Sequence, residues 1–186
     1  MKVEQIMTAL SKVFLFSLLS AIHLYVSAED FTVGEITVPR GERVSGFIIV
    51  PEGMDKGSTI PVTVVHGASD GPVLALIAGI HGYEYPPITA LQAMRTQVDP
   101  AALSGTIILV HIANMPAFLG RTIYYSPGDG KNLNRMFPGD PDGSISQRIA
   151  HILTTEVIDQ ANYLVDLHGG DGNEALRPYV YMPVTG

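Results

Sequence analysis

From Phe31 to Gly53 the chain reads FTVGEITVPRGERVSGFIIVPEG, alternating β-forming and polar residues with a break at Pro39-Arg40-Gly41, which predicts a strand pair. Two apolar, β-branched runs follow, PVTVVHG (61–67) and PVLALIAGI (72–80). Only Ala68-Ser69-Asp70-Gly71 separates them, so they are expected to be neighbouring strands. Beyond Pro86 the apolar positions Ile88, Leu91, Met94 and Val98 recur at three- and four-residue steps, with prolines confined to the first turn, where a missing N–H costs nothing. That period predicts a helix. TIILVHIAN (106–114) reads as a third buried strand. Met115 to Gly143 is polar, rich in Gly and Pro and without a clear period; such long loops are uncommon in compact domains and often carry function. Ser144 and Gln147 have capping-box spacing ahead of Ile145, Ile149, Ile152, Leu153 and Val157, predicting a second amphipathic helix. NYLVDLHGG (162–170) reads as a fourth strand and RPYVYMPV (177–184) as a fifth. This β-α-β-α-β order predicts an α/β fold with its sheet buried between helices.

The first 28 residues belong to a different pattern. Lys2 and Lys12 precede the apolar run Val13 to Val26, and Val26-Ser27-Ala28 stands before Glu29-Asp30, the layout of a secretory signal peptide cleaved after Ala28. The alternative is an uncleaved membrane anchor. The apolar run is shorter than the roughly 20 residues a spanning helix needs, and it contains His23. Export to the periplasm or the medium is the expectation. Cleavage leaves 9 basic and 17 acidic residues, a net charge of −8, and no basic run to bind nucleic acid or anionic lipid. The chain has no cysteine, which excludes disulfides, thiol catalysis and cysteine-based metal sites. With 46% hydrophobic residues in 186, a single globular domain is expected.

The chemistry concentrates where strands end, the usual place for sites in α/β sheets. His81 follows VLALIAGI and His168 follows YLVD, each with glycine after it. With Glu84 they make the two-histidine, one-glutamate set of a catalytic zinc. Read singly, His81 is equally a loop histidine and His168 a core histidine held by a carbonyl. Asp166, two residues before His168, shares its face on a strand and is placed to orient the imidazole from outside. Gly82, Gly169 and Gly170 either leave room for a substrate or serve ordinary turns. In GKNLNRMFPGDPDG, Asn134 and Arg135 offer a fork of donors suited to a carboxylate, and Arg121 adds a second cation in the same loop; solvated loop charges are the other reading.

Three segments, GIHGYE, GRTIYYSPGDGKNLNRMFPGDPDGS and YLVDLHGG, occur in an order and spacing that resemble the succinylglutamate desuccinylase/aspartoacylase family, relatives of the zinc carboxypeptidases. The likeness covers about residues 72 to 182. It implies a zinc-carboxypeptidase-like α/β fold, with a mixed sheet sandwiched by helices, and hydrolytic removal of an acyl group from an N-acyl amino acid or related carboxylate-bearing small molecule. One Zn2+ would be held by His81, Glu84 and His168. Arg121 matches an arginine that polarises the scissile carbonyl, and Asn134 with Arg135 the pair that grips a substrate carboxylate.

There are departures. Asn132 stands where the family's Asp-Leu-Asn-Arg has aspartate, and Tyr83 where asparagine is frequent. The family's general base is a glutamate on a later strand. Glu174 is the only acid after Asp171 and lies too near the third ligand to match it, so C-terminal truncation is expected. The resulting division is a leader (1–28), N-terminal strands (29–71) and an incomplete catalytic domain (72–186). Two rivals stand beside the deacylase. One is a zinc- and carboxylate-binding module without catalysis. The other is a serine hydrolase, because Gly67-Ala68-Ser69-Asp70-Gly71 satisfies G-x-S-x-G, although that elbow needs a helix after it and here Pro72 and another β-type run follow. His23, His66, His111 and His151 are unassigned, expected to be structural or exposed.

Overall fold

The computed structural model describes residues 29–170 and 174–182. The leader with His23, Asp171 and the last four residues lie outside the described residues.

A five-stranded sheet runs in the order β3 (Arg43–Val50), β4 (Ser58–His66), β6 (Ser104–Val110), β5 (Ser69–Ala78) and β7 (Tyr163–Leu167). β3, β4 and β6 pair antiparallel, whereas β5 lies parallel to β6 on one side and to β7 on the other, so the sheet is mixed. β1 (Phe31–Val33) and β2 (Ile36–Val38) form a separate antiparallel pair.

Helices cover both faces, which is the predicted sandwich. On one side α3 (Ile145–Leu153) packs Ile145, Ile149 and Leu153 against Ile60, Val62, Val64, Ile108 and Val110, and the β1–β2 pair adds Val33 and Val38 to this core. On the other, α1 (Tyr85–Met94) sets Ile88 and Leu91 against Ala78, Leu109 and Ile112, with Met115 and Phe118 at the margin. The alternation of β6 explains the division: Ile108 and Val110 face the first core, Ile107 and Leu109 the second. The capping box at the start of α3 is formed, with Gln147 accepting the Ser144 N–H at 3.2 Å. Among the described residues, no helix is long and apolar enough to cross a membrane.

Tertiary structure changes four expectations. The runs at 61–67 and 72–80 form β4 and β5, but these are not neighbours, because β6 lies between them. Gly67 and Gly71 make room for this: a Cβ on Gly67 would collide with the Leu103 carbonyl, and one on Gly71 would lie 2.7 Å from the Gly105 nitrogen. The G-x-S-x-G segment is therefore a strand-to-strand turn through which the start of β6 passes. Exposed Ser69 opens the ten-residue β5, opposite Ser104 on β6 and at the other end of β5 from the one that leads to His81, which removes the nucleophile elbow. Second, Pro39-Arg40-Gly41 does turn the chain, but the strands on either side pair elsewhere, β2 with β1 and β3 with β4. Third, the first helix stops at Met94, short of Val98, whose carbonyl accepts a hydrogen bond from Arg43 Nη1 at 3.0 Å. Fourth, Arg177 to Met182 is not a strand, and its Tyr179, Val180 and Tyr181 are exposed.

Candidate metal centre

β5 is the point from which the chain goes to β6 on one side and later returns to β7 on the other. The crevice beyond the carboxyl ends of strands at such a reversal is where α/β sheets place ligands. Register does the rest. Ala78 pairs with Leu167, so His81 and His168 leave adjacent parallel strands at the same edge of the sheet.

The loop after β5 is stitched down before it reaches His81. Ala113 and Asn114 donate backbone N–H groups to the carbonyls of Ala78 and Gly79, each at 2.9 Å. Buried Asn114 donates its Nδ2 to the Ile80 carbonyl at 3.3 Å, while its Oδ1 accepts from Ala117 and caps α2 (Met115–Gly120). A Cβ on Gly82 would run into the Ala117 carbonyl, so the loop lies directly on the α2 backbone. The glycines of the site thus serve close packing rather than substrate space. A Cβ on Gly169 would lie 3.2 Å from the ring of Pro87, and one on Gly170 would collide with the Glu174 backbone.

Glu84, 3% exposed at the start of α1, is the centre of the cluster. Its Oε1 lies 2.8 Å from His81 Nδ1 and its Oε2 2.9 Å from His168 Nδ1, and Oε2 also accepts the Gly169 N–H at 3.2 Å. One donor atom from each of His81, Glu84 and His168 falls within 4.8 Å of the others. Each imidazole turns its Nε2 outward, His168 to Asp166 Oδ2 at 2.8 Å and His81 to Asn132 Oδ1 at 3.2 Å. Burial alone would push the Glu84 carboxyl up, but hydrogen bonds and positive charge from His168 and His81 outweigh it and hold the pKa at about 2. The hydrogen bonds of Asp166 and Glu84 outweigh burial at His168 and raise its pKa to about 10.

The segment 115–143 is more ordered than its composition predicts. It contains α2 and a 3-10 turn, Leu133–Arg135. Arg121 ends α2 in the left-handed conformation at φ 51°, the one described non-glycine residue there, and is exposed. Asn134 and Arg135 lie on the 3-10 turn, and the Arg135 guanidinium donates to the Asn134 carbonyl at 3.0 Å. That turn starts from Asn132, already bonded to His81, so the carboxylate-type donors stand beside the metal-type cluster. The ring of Tyr124 meets His81 edge-on at 5.1 Å. Glu174 is exposed and lies outside the three-residue cluster. The unassigned histidines are accounted for by packing. His66 bonds Thr106 and His111 bonds Thr63, burial lowering the His111 pKa, and His151 lies on α3. Asn114 and Asn132 are the site residues that sequence patterns missed. An asparagine directly before Met115-Pro116 was the visible signal for the first, a helix cap before a proline.

The model of the succinylglutamate desuccinylase/aspartoacylase catalytic domain matches residues 70–185. This chain belongs to that family. It is 40% identical over 139 residues to an N-alpha-acetyl-L-2,4-diaminobutyric acid deacetylase of Halomonas elongata, an alignment covering 72% of this chain and 40% of the relative. A succinylglutamate desuccinylase/aspartoacylase from Rhodobacter sphaeroides superposes with a TM-score of 0.63 at 35% identity, covering 68% of this chain and 40% of that one. The product-bound ectoine utilization protein EutE (DoeB) from Ruegeria pomeroyi gives 0.64 at 32% identity, covering 72% and 42%. The chain therefore spans about two fifths of the length of these relatives.

Proposed function

We propose that this chain belongs to a zinc-dependent deacylase that hydrolyses the amide of an N-acyl amino acid, with His81, Glu84 and His168 as the metal ligands. The observation that carries the reading is the convergence of two imidazole nitrogens on one buried carboxylate, within a member of this family. The donor set fits zinc in chemistry, and both imidazoles have an outer partner, as metal-binding histidines generally do. When bound, zinc supplies Lewis-acid activation of water and of the amide carbonyl near neutral pH.

The remaining work falls to the chain itself. Glu84 draws both Nδ1 atoms to one point, while Asp166 and Asn132 hold the rings from behind. Arg121 is assigned to stabilise negative charge developing on the carbonyl oxygen, a contribution of about 3–4 kcal/mol when one such donor is lost. Asn134 and Arg135 are assigned to the substrate carboxylate, where paired donors fix orientation as well as affinity. The 40% identical relative makes Nα-acetyl-L-2,4-diaminobutyrate the first substrate to test. A second reading, a zinc- and carboxylate-binding module without turnover, is favoured by the position of Glu174 outside the cluster.

The test is the zinc content of the purified chain together with hydrolysis of Nα-acetyl-L-2,4-diaminobutyrate, N-acetylaspartate and N-succinylglutamate. About one zinc per chain with hydrolysis, both lost in His168→Ala, supports the deacylase. Zinc without hydrolysis of any of the three supports the binding module, and absence of zinc removes both. The proposal includes export. N-terminal sequencing of protein from its native host should start near Glu29, and an intact Met1 in a cytosolic fraction would contradict it.

A further inference from the structure

Between Tyr125 and Asn132, which bridge antiparallel, the chain makes a short hairpin. Two backbone bonds close it, Gly130 N–H to the Ser126 carbonyl at 2.8 Å and Ser126 N–H to the Lys131 carbonyl at 2.9 Å. One arm comes from Tyr124, whose ring meets His81, and the other runs straight into the turn Leu133–Arg135. A single side chain fastens the tip to α3. Asp129 Oδ2 accepts the Ser146 backbone N–H at 3.0 Å, and its Oδ1 accepts the Ser146 hydroxyl at 2.9 Å and the Lys131 N–H at 3.1 Å. Ser146 is fully buried in the first turn of α3, so the carboxylate reaches from a loop to a fixed part of the core. The N–H just before it, that of Ile145, is taken by Asp55 Oδ2 at 3.0 Å, so the two carboxylates do not share a donor. Burial alone would raise the Asp129 carboxyl, but hydrogen bonds from Ser144, Ser146 and Lys131 outweigh it and hold it below its usual range. It therefore meets the helix start as an anion, the charge that end favours. Two neighbours add to the contact. A Cβ on Gly128 would lie 2.8 Å from Ile145 Cγ2, and Lys131 Nζ donates to Gln147 Oε1 at 2.7 Å.

We propose that Asp129 is a positioning residue for substrate, which pins the hairpin tip to α3 and thereby sets the direction in which the Asn134–Arg135 turn presents its donors. This rests on the assignment of that pair to the substrate carboxylate. Leu133, buried in the main core, holds the turn at one point, and one point leaves it free to swing. The hairpin tip is the second point. Tyr125, Pro127, Gly128 and Gly130 are exposed, so the attachment of the hairpin rests on hydrogen bonds more than on apolar burial. Arg135 is exposed as well, so its own packing does not aim it. Paired donors reward a carboxylate only when they are correctly directed, which makes a distant anchor matter for affinity.

The test compares Asp129→Ala with Asp129→Asn, which keeps one acceptor oxygen, in the full chain. Amide hydrogen exchange of the metal-free protein reads the anchoring. Calorimetry of the zinc-loaded protein with Nα-acetyl-L-2,4-diaminobutyrate, N-acetylaspartate and N-succinylglutamate reads affinity, replaced by KM and kcat for any of the three that is hydrolysed. In Asp129→Ala the amides of Ser126, Gly130, Arg135 and Met136 should exchange about 10-fold faster or more, the effect of losing hydrogen bonds to a charged group. The Kd or KM of the tightest probe should rise about 10-fold, with kcat changed by less than about twofold and zinc affinity, whose three candidate ligands remain, reduced by less than the probe affinity. Asp129→Asn should fall between. Faster exchange confined to Ser126–Lys131, with Arg135 and Met136 as slow as before, would overturn the proposal whether or not the chain binds zinc, because tip and turn would then be uncoupled. A Kd or KM within about twofold of the unaltered chain, well short of the expected change, refutes it too, as does a zinc affinity that falls as far as the probe affinity, the mark of a general loss of fold. Should Asp129→Ala fail to melt cooperatively, Asp129→Asn decides by the same measures, a raised Kd or KM supporting the proposal and an unchanged one refuting it. If exchange spreads to Arg135 and Met136 but the unaltered chain binds none of the three probes, the assignment of the turn to a carboxylate fails and takes the substrate role of Asp129 with it.

Discussion

His81 follows β5, a strand flanked on both sides in the middle of the sheet, whereas His168 follows β7, an edge strand on which Tyr163, Leu164 and Val165 are 64%, 45% and 44% exposed. Glu84 pairs with both rings, and beyond that shared contact the first arm is held by packing and neutral hydrogen bonds: Asn114 to the Ile80 carbonyl, Gly82 on the α2 backbone, Asn132 behind the ring. The second arm has a second carboxylate, Asp166, on the far side of its ring, so it is held by charge from both sides. Exposed ion pairs ordinarily contribute little, because water competes for both partners. Here one of the partners is the buried Glu84, so the pairing survives on an otherwise solvated strand. The difference teaches that a site can combine a rigid half, fixed by the core, with a half whose position depends on protonation and metal.

The largest effect that separates the arms is loss of a ligand. His168→Ala should weaken zinc binding by more than the roughly 10- to 100-fold typical of outer partners, and chelator competition measures it. With Asp166 assigned as an outer partner, Asp166→Ala should fall inside that range, and equal losses in the two variants would break the assignment of roles. Next in size is stability. Leu109→Ala, in the core beneath α1, should cost about 2–5 kcal/mol, and Gly82→Ala about 1–3 kcal/mol by forcing the loop off α2. Val165→Ala on β7 should cost within about 0.5 kcal/mol. Urea unfolding reads all three, and a β7 substitution as costly as Leu109→Ala would show that the edge is packed after all.

A smaller effect, with the opposite sign, is expected on the rigid side. Arg121 tolerates a left-handed backbone that glycine adopts freely, so Arg121→Gly should stabilise the fold by about 1 kcal/mol while Arg121→Ala gains nothing. Both should lower kcat if Arg121 serves the developing oxyanion. A melting-temperature gain in Arg121→Ala equal to that in Arg121→Gly would rule out backbone strain as the cause.

A further effect is the pH dependence of the metal-free fold. The folded pKa of His168 lies above its ordinary 6.5, so its contribution is complete below that value and disappears as the pH rises through about 10. Glu84 is displaced downward from 4.5, so its contribution is complete above that value and is lost as the pH falls through about 2. Metal-free protein should therefore melt highest between about pH 4.5 and 6.5 and lower toward pH 10, with the alkaline decline absent in His168→Ala. Zinc affinity should move the other way, strengthening as protons leave the imidazoles. Parallel trends for the two measurements would mean that metal and protons do not compete for the same nitrogens.

Much of this centre was legible before any fold. A histidine three residues ahead of a glutamate, with Pro86-Pro87 opening a helix directly after, places both candidate ligands at a strand-to-helix junction by local geometry alone. Asp166 and His168 share a strand face for the same local reason, and the structure has them 2.8 Å apart. The capping box at Ser144 and Gln147 was equally readable, since it involves four consecutive residues. The parts that misled were those where a local pattern has two tertiary solutions. Two β-type runs joined by a short turn ordinarily pair, and only the insertion of β6 separates β4 from β5. RPYVYMPV has strand composition, but its described part has no strand partner in the sheet, and composition alone does not supply one.

By itself the sequence determined which residue types could hold a metal, where most of the strands and the two longer helices would lie, and that no thiol chemistry was available. These follow from side-chain chemistry and from periods of two and 3.6 residues, which act over a few neighbours. The tertiary structure alone decided that β7 pairs with β5 rather than β6, bringing His168 to His81, and that Asn132 from a distant loop closes the site behind His81. The physical reason is that strand order and loop docking are chosen by burial and hydrogen-bond satisfaction summed over the whole core. Contacts 51 residues apart, as between His81 and Asn132, leave no local trace in the chain.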